Sequence, residues 1–263
     1  MNKTNKTIVA LFLLCLIFLS ITVPAIAIMT NEFFYQTALE NADIMPKNDS
    51  QTTAIRYVKG MVSNTGYFTR GQFKEIIHHI TQFLKGKKAS FELFISNVII
   101  NGETREGVSI FGNQAISHMH DVKILFDFLK VITFILFAIF LVCLFVIIKR
   151  KNDIFEYIFS YSIKVISSVF SICILLVLLV LFKVIFSGYG LDMTRFAQEL
   201  WIYMHYIFFP FDSNAYLGSF FNDALTYILT IDFFMYAVTV VCASLILSLT
   251  IWLLIARKLQ KTK

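Results

Sequence analysis

The chain has 263 residues, 57% of them hydrophobic and 15% charged, with a formal net charge of +6. That is too apolar for an ordinary soluble domain. The charge surplus lies mostly at the tips of apolar runs, since residues 30–123 hold 10 Lys+Arg against 9 Asp+Glu, so no nucleic-acid partner is expected.

Residues 1–7 are short and basic, with Lys3 and Lys6, and residues 8–29 form an uncharged apolar run long enough to span a bilayer. Pro24-Ala25-Ile26-Ala27 has the look of a signal-peptidase site. The run is longer than a usual signal core and further spans follow, so residues 1–29 are expected to be a retained transmembrane anchor. Residues 30–123 are the polar domain. Thr69 and Gln72 have the spacing of a capping box. After them Phe73, Ile76, Ile77, Ile80, Phe83 and Leu84 fall on one helical face, and Gly86 can end the helix. His78 points away from that face and His79 lies at its border, so both are expected as solvated or rim histidines. Residues 89–100 alternate loosely through Phe91, Leu93 and Ile95, as an extended segment does; Asn101-Gly102 marks a turn, and residues 108–111 form a second extended piece. With few internal apolar runs, this domain is expected to lean on the bilayer surface.

The densest group of ionisable side chains follows, in Ser117-His118-Met119-His120-Asp121-Val122-Lys123, directly before the apolar run 124–148. Imidazole and charge at the mouth of a membrane helix are a candidate site. Asp127 and Lys130, one turn apart, can pair with each other, and Lys123 can pair with Asp127. Lys149-Arg150-Lys151 stops this second span, and residues 154–186 hold the third. Residues 187–231 are expected to be an interfacial segment, carrying Trp201, Tyr203, His205 and Tyr206 at headgroup level and interrupted by Pro210. Residues 232–256 form the fourth span, and a basic tail ends the chain. Cys15, Cys143, Cys173 and Cys242 all lie in apolar runs and read as small core hydrophobes.

The expected fold is therefore an α-helical polytopic membrane protein: four transmembrane helices with a small mixed extracytoplasmic domain between spans 1 and 2, and residues 124–263 carrying the last three spans. The basic tips at the amino end, at 149–151 and at the tail fall on one side of such a model, which the positive-inside rule makes cytoplasmic. His118 and His205 then share the outer side at similar depth.

Ser117-His118-Met119-x-Asp121-Val122-Lys123 before the second span and His205-x-x-Phe208-Phe209-Pro210 before the fourth resemble the lipoprotein intramolecular transacylase (Lit) family of Gram-positive bacteria. So does Asp223-x-Leu225-x-x-Ile228-Leu229-x-x-Asp232-Phe233-Phe234. The resemblance implies a plasma-membrane acyltransferase. It would move the fatty acid on the second glycerol carbon of a diacylglyceryl lipoprotein to the α-amino group of that lipoprotein's first cysteine, with essential histidines at positions 118 and 205. It departs from the family pattern at Ala115, where an acidic residue is expected.

The chemistry suits these residues. An amine that attacks an ester must lose a proton, and the departing oxygen must gain one; histidine titrates near neutrality and serves both. Nucleophile and ester belong to one molecule, so positioning carries much of the rate, up to about 7–11 kcal/mol in ideal cases. Asp121, three residues after His118, shares a helical face with it and can hold the imidazole tautomer, or it can simply pair with Lys123. Lys123, Trp201, Phe208, Phe209 and Asp212 are candidate substrate contacts. The protein is expected to work as a monomer among membrane lipids, without a cofactor. Two other classes stay open on the residues alone: a metal-dependent membrane hydrolase using His118, His120, His205 and Asp212, and a non-catalytic assembly or secretion partner.

Overall fold

The computed structural model describes residues 3–59, 62–184, 224–229 and 231–261. It is mostly helical and divides into two compact units: Met1–Ala25 with Phe128–Leu200 and Thr239–Lys263, and Ile26–Asp127 with Trp201–Val238. The helices are α1 (Lys3–Thr30), α2 (Glu32–Asn41), α3 (Arg70–Leu84), α4 (Asn113–Lys149), α5 (Lys151–Val184), α6 (Ala224–Ile228) and α7 (Ile231–Lys261). Three stretches among the described residues are long and apolar enough to cross a membrane: Lys3–Thr30, Asn113–Lys149 and Phe233–Lys261.

The first unit packs parts of α1, α4, α5 and α7. Each contributes an apolar stripe at helical spacing: Val9, Phe12, Leu13 and Ile17 from α1, Cys143 and Ile147 from α4, Ile154, Ile158 and Ile166 from α5, and Leu249, Trp252 and Ala256 from α7. Phe12 stacks on Phe140 at 4.7 Å and meets Trp252 at 4.5 Å. The buried indole N–H of Trp252 donates to Ser162 Oγ at 3.1 Å, which satisfies the polar end of an otherwise apolar ring. Phe134, Val142, Phe145, Ile172 and Leu254 point outward and are exposed, as lipid-facing side chains are. Four helix ends meet at one end of the unit: Arg150 donates to the buried Asn5 side chain at 3.1 Å, and Gln260 donates to the Glu156 carbonyl at 2.7 Å. The basic tips at Lys3 and Lys6, at Lys149, Arg150 and Lys151, and at Arg257 and Lys258 therefore share that end.

The second unit holds the mixed domain. Strands β1 (Thr52–Lys59), β2 (Val62–Thr69), β4 (Val98–Ile100) and β5 (Glu103–Arg105) form one antiparallel sheet in the order β1-β2-β4-β5. β3 (Phe94–Ile95) and β6 (Val108–Ser109) pair separately. The capping box at Thr69 and Gln72 is formed, and α3 buries Phe73, Ile76, Ile77, Ile80, Phe83 and Leu84. Gly86, at φ +79°, closes α3: its N–H donates to the Phe83 carbonyl and that of Lys87 to the Gln82 carbonyl, both at 2.9 Å. Asn101 and Gly102 both take positive φ, as the two-residue turn between β4 and β5 requires.

Two features differ from the sequence reading, at 89–100 and in the core of the mixed domain, and a third, the start of α4, extends it. The extended segment 89–100 is two strands, broken where Asn97 turns at φ +58°. The helix carrying the second span starts at Asn113, eleven residues before the apolar run. And the domain has a substantial core of its own, in which Tyr35, Leu39, Ile55, Phe68, Phe73, Phe83, Phe91 and Ile110 are fully buried.

Candidate functional site

The first turns of α4 carry the candidate site. Ala115, Met119 and Phe126 are buried, and His118 joins them with only 8% of its surface exposed. An imidazole in that position is rare, because burial costs its charged form most. His120, two residues on, turns the other way and is exposed; its ring meets Phe83 edge-on at 5.2 Å. Lys123 lays its ammonium 5.5 Å above the same Phe83 ring and 3.9 Å from the Asp127 carboxylate. α3 thus fixes the rotation of α4 through Phe83. Asp121 is exposed, and its side chain forms no hydrogen bond or ion pair among the described residues.

His205, Trp201, Phe208, Phe209 and Asp212 lie outside the described residues, as does Asp223. The rest of that third motif belongs to the same unit as His118. Ala224, Leu225 and Ile228 of α6 are buried, with α6 packed on β1. Phe233 stacks on Tyr35 at 4.7 Å, and Tyr236 lies 6.2 Å from Phe34. His118 and His120 diverge on the helix, and among the described residues no three His, Cys, Asp or Glu side chains gather as a metal site would need.

Sequence reasoning missed a second histidine site. His79 is not at a rim: it is 3% exposed, held between Lys88 and the loop at Phe91 that leads into β3. Its Nε2–H donates to the Phe91 carbonyl at 3.1 Å, and Nδ1 accepts from the Lys88 ammonium at 2.8 Å. The helical spacing put residue 79 beside the apolar stripe, and the covering residue arrives from twelve positions further on. Burial first, then the Lys88 charge, hold its pKa below the ordinary histidine value. His78 is exposed, as its spacing implied, and pairs with Glu32 at 2.8 Å.

A pH dependence follows. A histidine whose folded pKa is lowered leaves the unfolded chain binding more protons in acid. Its contribution is complete above the unfolded value of about 6.5 and is lost as pH falls through that value toward the folded one. Chemical unfolding of the full-length protein is expected to show stability falling from pH 7 to pH 5, with a shallower fall in His79→Gln. Equal slopes in the two proteins would remove His79 as the cause.

A family model described as lipoprotein intramolecular transacylase Lit matches residues 7–234. No curated protein and no solved structure matches the chain. The matched stretch runs from the start of α1 through the buried His118 and into the first turn of α7, so it takes in the greater part of both units. The chain belongs to the lipoprotein intramolecular transacylase family.

Proposed function

We propose that this protein moves the fatty acid on the second glycerol carbon of a diacylglyceryl lipoprotein onto the α-amino group of the same molecule's first cysteine, at the outer face of a bacterial plasma membrane. The amine nitrogen attacks the ester carbonyl carbon. A carbon–nitrogen bond forms, the carbon–oxygen bond to glycerol breaks, and the proton lost by nitrogen ends on the glycerol oxygen. The product is a lyso-form lipoprotein, and an ester has become an amide, so no nucleotide is consumed.

The observation that carries this reading is the buried His118 on a helix long and apolar enough to cross a membrane, in a chain of this family. His118 is assigned as the base that takes the ammonium proton, with Asp121 nearby on the same helix. His205 is assigned to polarise the carbonyl or to return the proton to the leaving oxygen. Four spans, formed by α1, α4, α5 and α7, would carry the basic tips on the cytoplasmic side and residues 30–123 outside. Lys123, Trp201, Phe208, Phe209 and Asp212 would hold the substrate's headgroup and acyl chains. Placement of α6 and the first turns of α7 in the unit that holds His118 supports a shared site.

The test uses sealed membrane vesicles and a diacylated lipopeptide in their outer leaflet. Acyl migration leaves the total mass unchanged, so the readouts are loss of amine labelling and tandem fragmentation that places the acyl group on nitrogen. Right-side-out vesicles containing the protein should convert the lipopeptide, and vesicles lacking it should not. Conversion confined to inverted vesicles would place the chemistry on the opposite face, and no conversion in either orientation would reject the reaction.

A further inference from the structure

At the end of the first unit where the basic helix tips meet, a cavity of ≈ 230 Å³ is lined by Lys6, Tyr157, Ser160, Tyr161 and Lys164. Its construction is simple. Tyr157, Ser160, Tyr161 and Lys164 recur at intervals of three, one and three along α5 and share one helical face. α1 brings Lys6 to that face, because Val9 of α1 and Ile158 of α5 belong to one buried cluster.

The chemistry of the lining is one-sided. It holds two ammonium groups, three hydroxyls and no carboxylate. Both lysines are exposed to the cavity side of the bundle surface, and neither forms an ion pair among the described residues. Glu156 lies next in sequence but is engaged by the Tyr157 hydroxyl and does not line the cavity. Two ammonium groups around one small cavity repel each other, and the repulsion grows as water thins out. An anion between them reverses the sign of that interaction.

Depth selects the kind of anion. The uncharged run of α1 starts at Ile8, two residues after Lys6, and that of α5 starts at Val165, immediately after Lys164. Both lysines therefore stand where the helices pass from polar to apolar surroundings, the level of the headgroups, at which tyrosine also accumulates. Basic pockets between membrane helices at this level suit phosphate-bearing headgroups.

We propose that this cavity binds a phosphate-bearing anion, held by the Lys6 and Lys164 ammonium groups with hydrogen bonds from Ser160 and Tyr161. A phospholipid headgroup and free phosphate share that chemistry. The site makes no use of the histidines assigned to acyl transfer.

The test is native mass spectrometry of the full-length protein in micelles doped with equal amounts of phosphatidylglycerol and phosphatidylcholine. The wild-type protein should retain phosphatidylglycerol in preference, on the order of tenfold. Lys6→Gln combined with Lys164→Gln should bring the two lipids to parity. Retention that survives millimolar inorganic phosphate assigns the site to lipid. Absence of lipid preference together with phosphate protection against thermal unfolding, lost in the double variant, assigns it to the free anion. A lipid preference that persists in the double variant overturns the proposal, as does a wild-type protein with neither preference nor protection. Tyr161→Phe keeps the ring and serves if the double variant does not fold. It should lower retention about tenfold or more, by the loss of one hydrogen bond to a charged group, and unchanged retention would count equally against the site.

Discussion

Alanine at position 118 or at position 205 is expected to slow acyl transfer by about 10²–10⁴, the usual cost of removing a general acid or base. If the two imidazoles act as a unit, the double variant is little slower than either single one. His120→Ala and His78→Ala should stay within a few-fold of wild type, since both rings are outside the buried site. His79→Ala, which helical spacing alone would also place among the mild changes, is instead expected to lose stability, because it leaves the Phe91 carbonyl and the Lys88 ammonium without their partner. Initial rates of amine masking on purified diacylated lipopeptide, in liposomes, separate these cases. A folded, membrane-inserted His118→Ala protein that turns over normally would remove that residue from the mechanism.

The second large effect lies away from the chemistry. Phe91 is fully buried, stacked on Phe111 at 4.5 Å and edge-on to Phe83 at 5.1 Å, with His79 5.6 Å away. Truncating such a ring costs about 3–5 kcal/mol, from lost burial and the cavity left behind. Phe83 in turn packs against His120 and lies under Lys123, so loosening this cluster frees the segment of α4 that presents His118. Phe91→Ala should therefore lower the denaturant midpoint of the full-length protein and reduce activity with it, while Phe91→Leu keeps most of both. A Phe91→Ala protein with an unchanged midpoint would show that the cluster is not structural.

What was legible in the chain was local. The α3 stripe and its cap are set by side chains within one or two turns of each other, and the Asn101-Gly102 turn by the φ values those two residues tolerate. The β1–β2 hairpin was not legible. Of the described positions of β1, Ile55 alone is a fully buried large hydrophobe, and its partners are set by pairing, with Gly66 opposite. α2 is short, and its three buried residues, Tyr35, Ala38 and Leu39, depend on α3 and on Phe233 from the far end of the chain. The start of α4 was obscured because its polar residues continue an apolar stripe through Ala115 and Met119 that only the fold reveals. His118 drew notice by its neighbours in sequence, whereas its burial comes from tertiary packing. The proposed meeting of His118 with His205 rests on topology and motif, and residues 185–223 lie outside the described structure.

The tie between Phe12 and Trp252 sets a schedule for biogenesis. Phe12 of α1 is made some 240 residues before the Trp252 it packs against, a delay of about 12–48 s at synthesis rates of roughly 5–20 residues per second. During that interval the face of α1 that meets Trp252 must persist uncovered, with Phe140 of α4 joining Phe12 partway through. Its uncharged apolar run permits this, whereas an early charge there would not. A nascent chain that has not yet reached Trp252 can pack Phe12 on Phe140 but lacks the third ring, so the bundle reaches its final packing only once α7 is made.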